Sequence, residues 1–289
     1  MPLNPLDKNS GADESAGLLL IGHGTRDQRG TEEFFRLAEL VRQRMAPRPV
    51  AEALLEFQTP TISDAWQCLV DQGVDHVRVA PLLLFAAGHA KQDIPEAVAA
   101  AASQTPGITW DQCGPISRQA DLIRWVAHRI EQCGIRAGRN GQDRPVSGTN
   151  DVGNEDPPNS ETAVIMVGRG SHDSCAQADM RVLTEVVARR FPDVTFDTAF
   201  YAMAQPRLPE VIDRVVSVRR PQRIIVQPHL LFMGRLYEAI QGQVDQAKAR
   251  HRDVTFVVGD YLGPVQAVAD ALADRAGFGQ RDARFVAAS

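Results

Sequence analysis

Two histidines stand where an apolar run passes into a glycine-containing turn, and an imidazole in that place can bind a metal ion or accept a proton. His23 lies in Gly22-His23-Gly24 directly after the run Leu18–Ile21, and His89 follows Gly88 shortly after a second apolar run. An apolar run bounded by glycine is typical of a buried strand. Ligands of parallel α/β sheets bind at the carboxyl ends of the strands. If these two strands are neighbours, both imidazoles meet above one edge of the sheet.

Two neutral imidazoles suit a borderline divalent ion such as Co²⁺, Ni²⁺, Zn²⁺ or Fe²⁺. Glu56, near the end of the intervening strand, could supply a carboxylate ligand or accept a proton, and a solvated charge at a strand end is the alternative. The alternative for His23 is a turn residue that caps the following helix. A closed structural zinc site needs about four protein ligands, so two or three ligands predict an open site that the metal can leave.

Strands and helices alternate along the chain, which predicts parallel sheets in an α/β fold. In the first half, the strands are predicted over Leu18–Ile21, Val50–Phe57, His76–Phe85 and Ile108–Asp111. Apolar residues spaced three or four apart predict a helix with one stripe against a sheet. The first such stripe consists of Phe34, Ala38, Val41 and Met45.

The second half of the chain repeats the first. Ala163–Asp173 parallels Gly17–Asp27, and Ile224–Met233 parallels Arg78–Ala87. A repeat of this length predicts two copies of one α/β unit. The two copies are therefore expected to present equivalent loops at equivalent strand ends.

The repeat keeps the loops but not their histidines. Arg169 occupies the place of His23, and Arg235 occupies the place of His89. A structural histidine could also change to arginine, but the replacement of both imidazoles by permanent cations favours a functional pair. The chemistry is therefore expected in the first half.

Composition excludes several classes of protein. The net charge of −5 gives no general reason to expect nucleic acid as a partner. No run of about 18 apolar residues is present, so no transmembrane helix is expected. The four cysteines are scattered without a Cys-x-x-Cys pair, which argues against a zinc ribbon or disulfide framework and favours the cytoplasm.

Changes in composition predict the domain boundaries. Residues 1–16 are polar and lack the apolar core of a signal peptide, so we expect a disordered leader. Residues 135–161 are rich in Gly, Pro, Asn, Asp and Ser, which predicts a flexible linker. The N-terminal domain, 17–134, would carry the metal site, and the degenerate repeat would occupy 162–278.

Three segments in this order resemble the sirohydrochlorin chelatases of the CbiX/SirB family: Leu19–Arg26 (LLIGHGTR), Leu55–Ile62 (LEFQTPTI) and Pro81–Pro95 (PLLLFAAGHAKQDIP). Val167–Asp173 and Pro228–Gly234 resemble the degenerate half of the long, two-domain members. The resemblance implies a class II chelatase fold, with two similar α/β domains facing across a cleft. It also implies ATP-independent insertion of Co²⁺ or Fe²⁺ into sirohydrochlorin. In the family pattern His23 and His89 are the metal ligands, and His23 is also the usual proton acceptor.

The chemistry of metallation is consistent with these residue types. Insertion of a metal releases two pyrrole protons, and an imidazole with a pKa of about 6.5 can accept a proton near neutral pH. The substrate's carboxylates call for cations, although each candidate could instead be a solvated surface charge. The candidates are Arg26, Lys91, Arg169 and Arg235.

The loop after the third strand would present backbone and small side chains to the flat macrocycle. It comprises Leu83, Leu84, Phe85, Ala86, Ala87 and Gly88. Thr59 is a further candidate for substrate contact. It stands where family members often carry an acidic residue, so this chain departs from the family pattern there.

We expect a lyase, a sirohydrochlorin cobaltochelatase of cobalamin biosynthesis that binds sirohydrochlorin and a divalent metal ion and needs no other cofactor. No nucleic-acid or membrane partner is expected, and two fused halves favour a monomer. One alternative is a ferrochelatase that inserts Fe²⁺ for siroheme, and another is a non-catalytic metal or tetrapyrrole carrier. A histidine phosphatase would need arginine where Gly22 stands, and Gly22-x-Gly24 does not extend to a dinucleotide-binding fingerprint.

Overall fold

Strands and helices alternate along the chain, as the apolar pattern predicts. The computed structural model describes residues 15–86, 92–137 and 161–278. The strands of this part of the chain are β1 (Ala16–Gly22), β2 (Val50–Leu54), β3 (His76–Pro81), β4 (Thr109–Gln112), β5 (Thr162–Gly168), β6 (Thr195–Phe200), β7 (Arg223–Pro228) and β8 (Thr255–Val258). The helices are α1 (Gln28–Met45), α2 (Ile62–Asp71), α3 (Asp93–Ala102), α4 (Ala120–Glu131), α5 (Ser174–Ala188), α6 (Leu208–Arg219), α7 (Arg235–Arg250) and α8 (Gln266–Arg275).

The strands form two four-stranded parallel sheets, in the orders β2-β1-β3-β4 and β6-β5-β7-β8. In each sheet the first strand of the repeat is central, and all seven residues of β1 and of β5 are buried. Strands covered on both faces need apolar side chains throughout, which is why these runs show no alternation. The predicted α/β class with two similar parallel sheets is confirmed.

The predicted stripe of α1 faces the protein interior. Phe34, Ala38, Val41 and Met45 are all buried. Burial of a large apolar side chain contributes roughly 1.5–3 kcal/mol, so this stripe fixes the helix against its sheet. Among the helices of the described residues, none combines the length and apolarity that crossing a bilayer requires.

Two predicted strands end earlier than their apolar runs. β2 ends at Leu54 and not at Phe57, because the backbone N–H of Leu54 donates to the carbonyl of Pro60 and closes a turn. β3 ends at Pro81 and not at Phe85, because the N–H of Leu83 donates back to the Pro81 carbonyl. The apolar residues that follow each strand therefore lie in turns at the carboxyl edge of the sheet.

The remaining boundaries differ slightly or lie outside the described residues. β1 begins at Ala16, the last residue of the predicted leader, and β4 begins and ends one residue later than predicted. Most of the predicted leader, 1–14, and most of the predicted linker, 138–160, lie outside the described residues.

The strand register corrects the predicted correspondence between the two halves by one residue. Pro81 pairs with Ile21 in β1, and Pro228 pairs with Val167 in β5. Pro228 is therefore the counterpart of Pro81, whereas the sequence parallel of Arg78–Ala87 with Ile224–Met233 aligned Pro81 with the preceding residue. A continuous apolar run can slide by one position without changing its pattern, so only the hydrogen bonds to the neighbouring strand determine the register.

The two compact units of the chain do not coincide with its two repeats. The first unit contains the described residues up to Leu122 and those from Pro264 onward, and the second contains Ile123–Gly263. Accordingly α8 packs on α1, where Arg44 Nε lies 2.9 Å from Asp270 Oδ1. Most of α4 belongs to the second unit, where Trp125 Nε1 donates to the carbonyl of Leu262 at 2.7 Å. Each repeat thus gives its last helix to the unit built on the other repeat.

Candidate functional site

The turn after β1 lies against the turn after β2. The carbonyl of His23 accepts the backbone N–H of Glu56 at 3.1 Å, and the Gly22 carbonyl accepts that of Leu55 at 2.9 Å. Gly24 has a φ of 87°, and a Cβ there would collide with the carbonyl oxygen of Glu56. Glycine is therefore required for the approach of the two turns. The backbone hydrogen bonds bring the turns of His23 and Glu56 together at the carboxyl edge of the first sheet.

Helix α1 is capped by a residue other than His23. Asp27 is its N-cap, and its side chain accepts the N–H of Arg29 at 3.0 Å. His23 is half-buried and precedes this cap by four residues. His23 is therefore not the cap of α1, and it lies in the turn at the edge of the sheet.

The turn that carries Glu56 is held at both ends. Gln58 donates its backbone N–H to the Glu56 carbonyl at 3.0 Å, and Thr31 of α1 donates its hydroxyl to the Gln58 side chain at 2.8 Å. Glu56 is half-buried within this turn, whereas Thr59 is exposed. The carboxylate of Glu56 is thus carried on a well-fixed backbone next to His23.

The segment after β3 leaves the same edge of the sheet, because β3 pairs directly with β1. The carbonyls of Leu83 and Leu84 accept the backbone N–H groups of Ile116 and Ser117 at 3.1 and 3.2 Å. Leu83, Leu84, Phe85 and Ala86 are all half-buried. The neighbouring strands that the His23–His89 pair requires are therefore present.

The second predicted metal ligand cannot be placed beside the first. Ala87, Gly88, His89 and Lys91 lie outside the described residues, so the pairing of His23 with His89 stays a prediction. Within the described residues, His, Cys, Asp and Glu side chains form no group of three that could hold a metal ion.

Sequence reasoning missed an aromatic residue at this edge. Phe57 follows Glu56, has a φ of 70° and leaves 55% of its surface exposed. The guanidinium carbon of Arg26 lies 4.8 Å from the centroid of its ring, a cation–π distance. The apolar pattern predicts Phe57 as the last residue of a buried strand. The cluster of polar residues and proline that begins at Gln58 is the sequence signal that could have placed Phe57 in a turn and not in the strand.

The second unit has the same backbone with different side chains. The carbonyl of Arg169 accepts the N–H of Ala202 at 2.9 Å, as His23 accepts from Glu56. Gly170 has a φ of 90° and, like Gly24, approaches a carbonyl that leaves no room for a Cβ. Both the imidazole and the carboxylate are therefore replaced, by Arg169 and Ala202. The comparison LEFQTP with YAMAQP would have revealed the second replacement.

The other side chains of the second half differ in accessibility. Arg169 and Arg235 are exposed, so both guanidinium groups can meet a solute. His229 is only 2% exposed, and burial lowers its pKa to about 3. The His229 ring is therefore a neutral group of the interior.

Comparison with known families agrees with this arrangement. The CbiX family model matches residues 17–133 and 163–277, which are the two repeats. The chain belongs to the CbiX family.

Relatives of this CbiX-family protein include chelatases with two different metals in their names. A sirohydrochlorin cobaltochelatase of Priestia megaterium is 26% identical over 246 residues, which cover 85% of this chain and 74% of that protein. A sirohydrochlorin ferrochelatase of Bacillus subtilis strain 168 is 28% identical over 247 residues, with 85% of each chain covered. The structure of SirB from Bacillus subtilis with Fe³⁺ superposes with a TM-score of 0.75 at 26% identity, covering 90% of this chain and 94% of that one.

Proposed function

We propose that this protein is a sirohydrochlorin chelatase, which inserts a divalent metal ion into the macrocycle without ATP. The observation that carries the proposal is the juxtaposition of His23 with Glu56 in the first unit, together with its replacement by Arg169 and Ala202 on the same backbone in the second. An imidazole and a carboxylate are the groups that deliver a metal and accept protons. The names of the relatives supply the substrate.

In the proposed reaction the metal ion and sirohydrochlorin are both substrates. His23 and His89 bind the incoming ion, and the small number of protein ligands lets the ion move on to the four nitrogens of the macrocycle. Two pyrrole N–H bonds break as the metal–nitrogen bonds form, so the doubly charged ion replaces two protons. His23 accepts one of these protons, and Glu56 is the second acceptor or a further metal ligand.

We propose that the remaining site residues orient the substrate. Arg26, Lys91, Arg169 and Arg235 pair with its carboxylates, since guanidinium and ammonium groups form charge-assisted hydrogen bonds with such oxygens. The macrocycle is contacted by Thr59 and by the segment Leu83, Leu84, Phe85, Ala86, Ala87 and Gly88. Because both repeats lie on one chain, we also propose that the protein acts as a monomer.

The metal we propose is Co²⁺, and Fe²⁺ is the alternative. The two relatives described above are named for different metals at 26% and 28% identity, so identity alone favours neither. Imidazole ligands accept both ions, and selection then depends on the supply of metal. Parallel metallation assays of the purified protein with Co²⁺ and with Fe²⁺ decide between them.

The assay that tests the function follows the absorbance of sirohydrochlorin after either metal is added to the full-length protein. We expect His23→Ala to lower the rate by at least about 100-fold, because proton transfer by a positioned base contributes 100-fold or more. His128→Ala is the matched control, since His128 lies on α4 with its side chain half exposed.

Each outcome of this assay has a distinct meaning. If His23→Ala retained the full rate, the site assignment would be wrong. If the wild-type protein bound sirohydrochlorin but metallated it with neither ion, the carrier alternative would replace the chelatase proposal.

A further inference from the structure

Phe57 is an exposed aromatic side chain beside the proposed site. The large apolar side chains that the described residues leave exposed are Phe57, Val182, Val186 and Val218, so Phe57 is the aromatic member of the group. The three valines lie on helices, whereas Phe57 lies in the turn whose backbone bonds to His23. An exposed aromatic ring beside the proposed site presents a flat apolar face that can stack against a flat conjugated ligand.

The turn itself forces residue 57 outward. Phe57 has a φ of 70°, and its counterpart Met203 in the second unit has a φ of 59°. The left-handed conformation therefore belongs to the turn in both units and does not by itself indicate a function. The first unit differs in the side chain that this turn presents, which is a flat ring and not a methionine.

Arg26 completes the feature. Its guanidinium carbon lies 4.8 Å from the Phe57 ring centroid, and within the described residues Arg26 forms no ion pair with a carboxylate. A guanidinium that is held by an aromatic ring keeps its N–H donors available for an anionic acceptor. The corresponding residues of the second unit are His172 and Met203, which form no such pair in the described structure.

We propose that Arg26 and Phe57, here called the Arg26–Phe57 pair, bind the tetrapyrrole before the metal enters. The ring of Phe57 contacts the flat conjugated macrocycle, and the guanidinium of Arg26 binds one of its carboxylates. This inference rests on the proposed function and adds Phe57 as a residue that determines affinity for the tetrapyrrole. The pair acts on sirohydrochlorin and not on the metal ion.

The test separates tetrapyrrole binding from catalysis. Metal-free sirohydrochlorin is titrated into the full-length protein, and steady-state rates are then measured with Co²⁺ and with Fe²⁺. Phe57→Ala is expected to raise both the Kd and the KM for sirohydrochlorin about tenfold, the size of an aromatic contact. We expect kcat and the KM for the metal ion to change less than about twofold. Phe57→Leu, which keeps apolar bulk without the ring, should give a smaller increase.

Arg26→Gln supplies an electrostatic readout that a purely structural role would not change. The wild-type Kd should rise with salt concentration, because salt screens the pairing of a guanidinium with a carboxylate. This dependence should be weaker in Arg26→Gln. In the double variant, the increase in the Kd for sirohydrochlorin should be smaller than the product of the increases in Arg26→Gln and Phe57→Ala, since the two side chains contact each other.

Two control substitutions lie on helices of the second unit. Val218→Ala shortens an exposed apolar side chain near the end of α6, and Lys248→Gln removes a surface charge near the end of α7. Both should leave the Kd for sirohydrochlorin unchanged. Thermal unfolding of every variant shows whether it is folded. If Phe57→Ala does not fold, the binding data for Phe57→Leu and Arg26→Gln are sufficient to test the inference.

The outcomes distinguish this inference from the proposed function. A wild-type Kd in the folded Phe57 and Arg26 variants would overturn the inference, even if the wild-type protein metallates sirohydrochlorin. Binding that depends on the Arg26–Phe57 pair, without turnover by either ion, would overturn the chelatase proposal and support the inference. Absence of sirohydrochlorin binding in the wild-type protein would overturn both.

Discussion

Single glycines determine whether the two turns at the sheet edge can meet. Gly24 and Gly170 have φ values of 87° and 90°, and in each case a Cβ would collide with a carbonyl oxygen of the turn after the next strand. The same constraint thus operates in a unit with the imidazole and in a unit without it. These glycines serve the backbone of the loop, and His23 is the residue that adds chemistry.

Gly24→Ala should reduce the free energy of unfolding by at least about 2 kcal/mol, because strained φ and the lost approach to Glu56 both act against the native turn. Gly73→Ala is the matched control, since Gly73 has a φ of 81° but nothing lies within 4 Å of a Cβ built there. Urea unfolding of both variants measures the difference. Equal losses would contradict the role assigned to the Glu56 carbonyl.

His229 links stability to pH. Burial lowers its pKa to about 3, whereas an unfolded imidazole titrates near 6.5. Between these values the unfolded chain binds a proton that the folded chain does not, so stability falls as the pH falls through this window. At a pH well above about 6.5 the imidazole is neutral in both states, and the effect vanishes.

His229→Leu introduces the residue found at the equivalent position, Leu82, whose N–H donates to β1 as that of His229 donates to β5. Relative to this variant, the wild-type protein should lose about 2 kcal/mol of stability between about pH 7 and about pH 5. Urea unfolding at both pH values measures the loss. Parallel pH profiles of the two proteins would show that His229 is not the titrating group.

At the scale of secondary-structure elements, short polar segments connect each central strand to the helix that follows it. Asp27 caps α1 and Asp173 caps α5, and both accept backbone N–H groups of the first helical turn. The sequence between strand and cap is the segment that carries His23 or Arg169. The cap fixes one end of that segment and the strand fixes the other.

Asp27→Ala should reduce the free energy of unfolding by about 1 kcal/mol, because it removes the N-cap of α1. Asp27→Asn should retain most of the stability, since asparagine is an equally good cap. Thermal or urea unfolding of the two variants measures this difference. A similar loss in both would mean that the carboxylate charge, and not the cap, is the important property of Asp27.

At the scale of the whole molecule, the exchange of helices makes the two units depend on distant parts of the chain. Helix α8 is the last described helix, but it packs on α1, the first. Leu272 of α8 and Ile130 of α4 are both fully buried, each in the unit built on the other repeat. The core of the first unit is therefore complete only when α8 is in place.

Leu272→Ala should destabilise the first unit by about 2–5 kcal/mol, the usual effect of a large-to-small change in a core. Hydrogen exchange should then accelerate in α1 more than in β5–β8. Ile130→Ala is the reciprocal variant and should accelerate exchange in the second unit. If each substitution instead accelerated hydrogen exchange in the unit of its own repeat, the assignment of α4 and α8 to the two units would be wrong.

The sequence by itself determined the elements and the repeat, because apolar periodicity is a local property of the chain. It was sufficient for the buried runs of β1 and β5, for the stripe of α1 and for the turn after the central strand, in which His23 changes to Arg169. It also offered Glu56 as a candidate near the end of the second strand, since the carboxyl ends of parallel strands share one edge, with a solvated charge there as the alternative.

The tertiary structure decided features that depend on hydrogen bonds and packing between distant segments. An apolar run does not reveal where its hydrogen bonds to the neighbouring strand end. The sequence therefore predicts Phe57 within a strand, whereas β2 ends at Leu54, whose N–H donates to the carbonyl of Pro60. Nor does such a run fix its own register, so the pairing of Pro228 with Val167 was needed to align His229 with Leu82. The apolar pattern of α8 does not show which unit the helix belongs to. Its packing on α1 assigns it to the first unit.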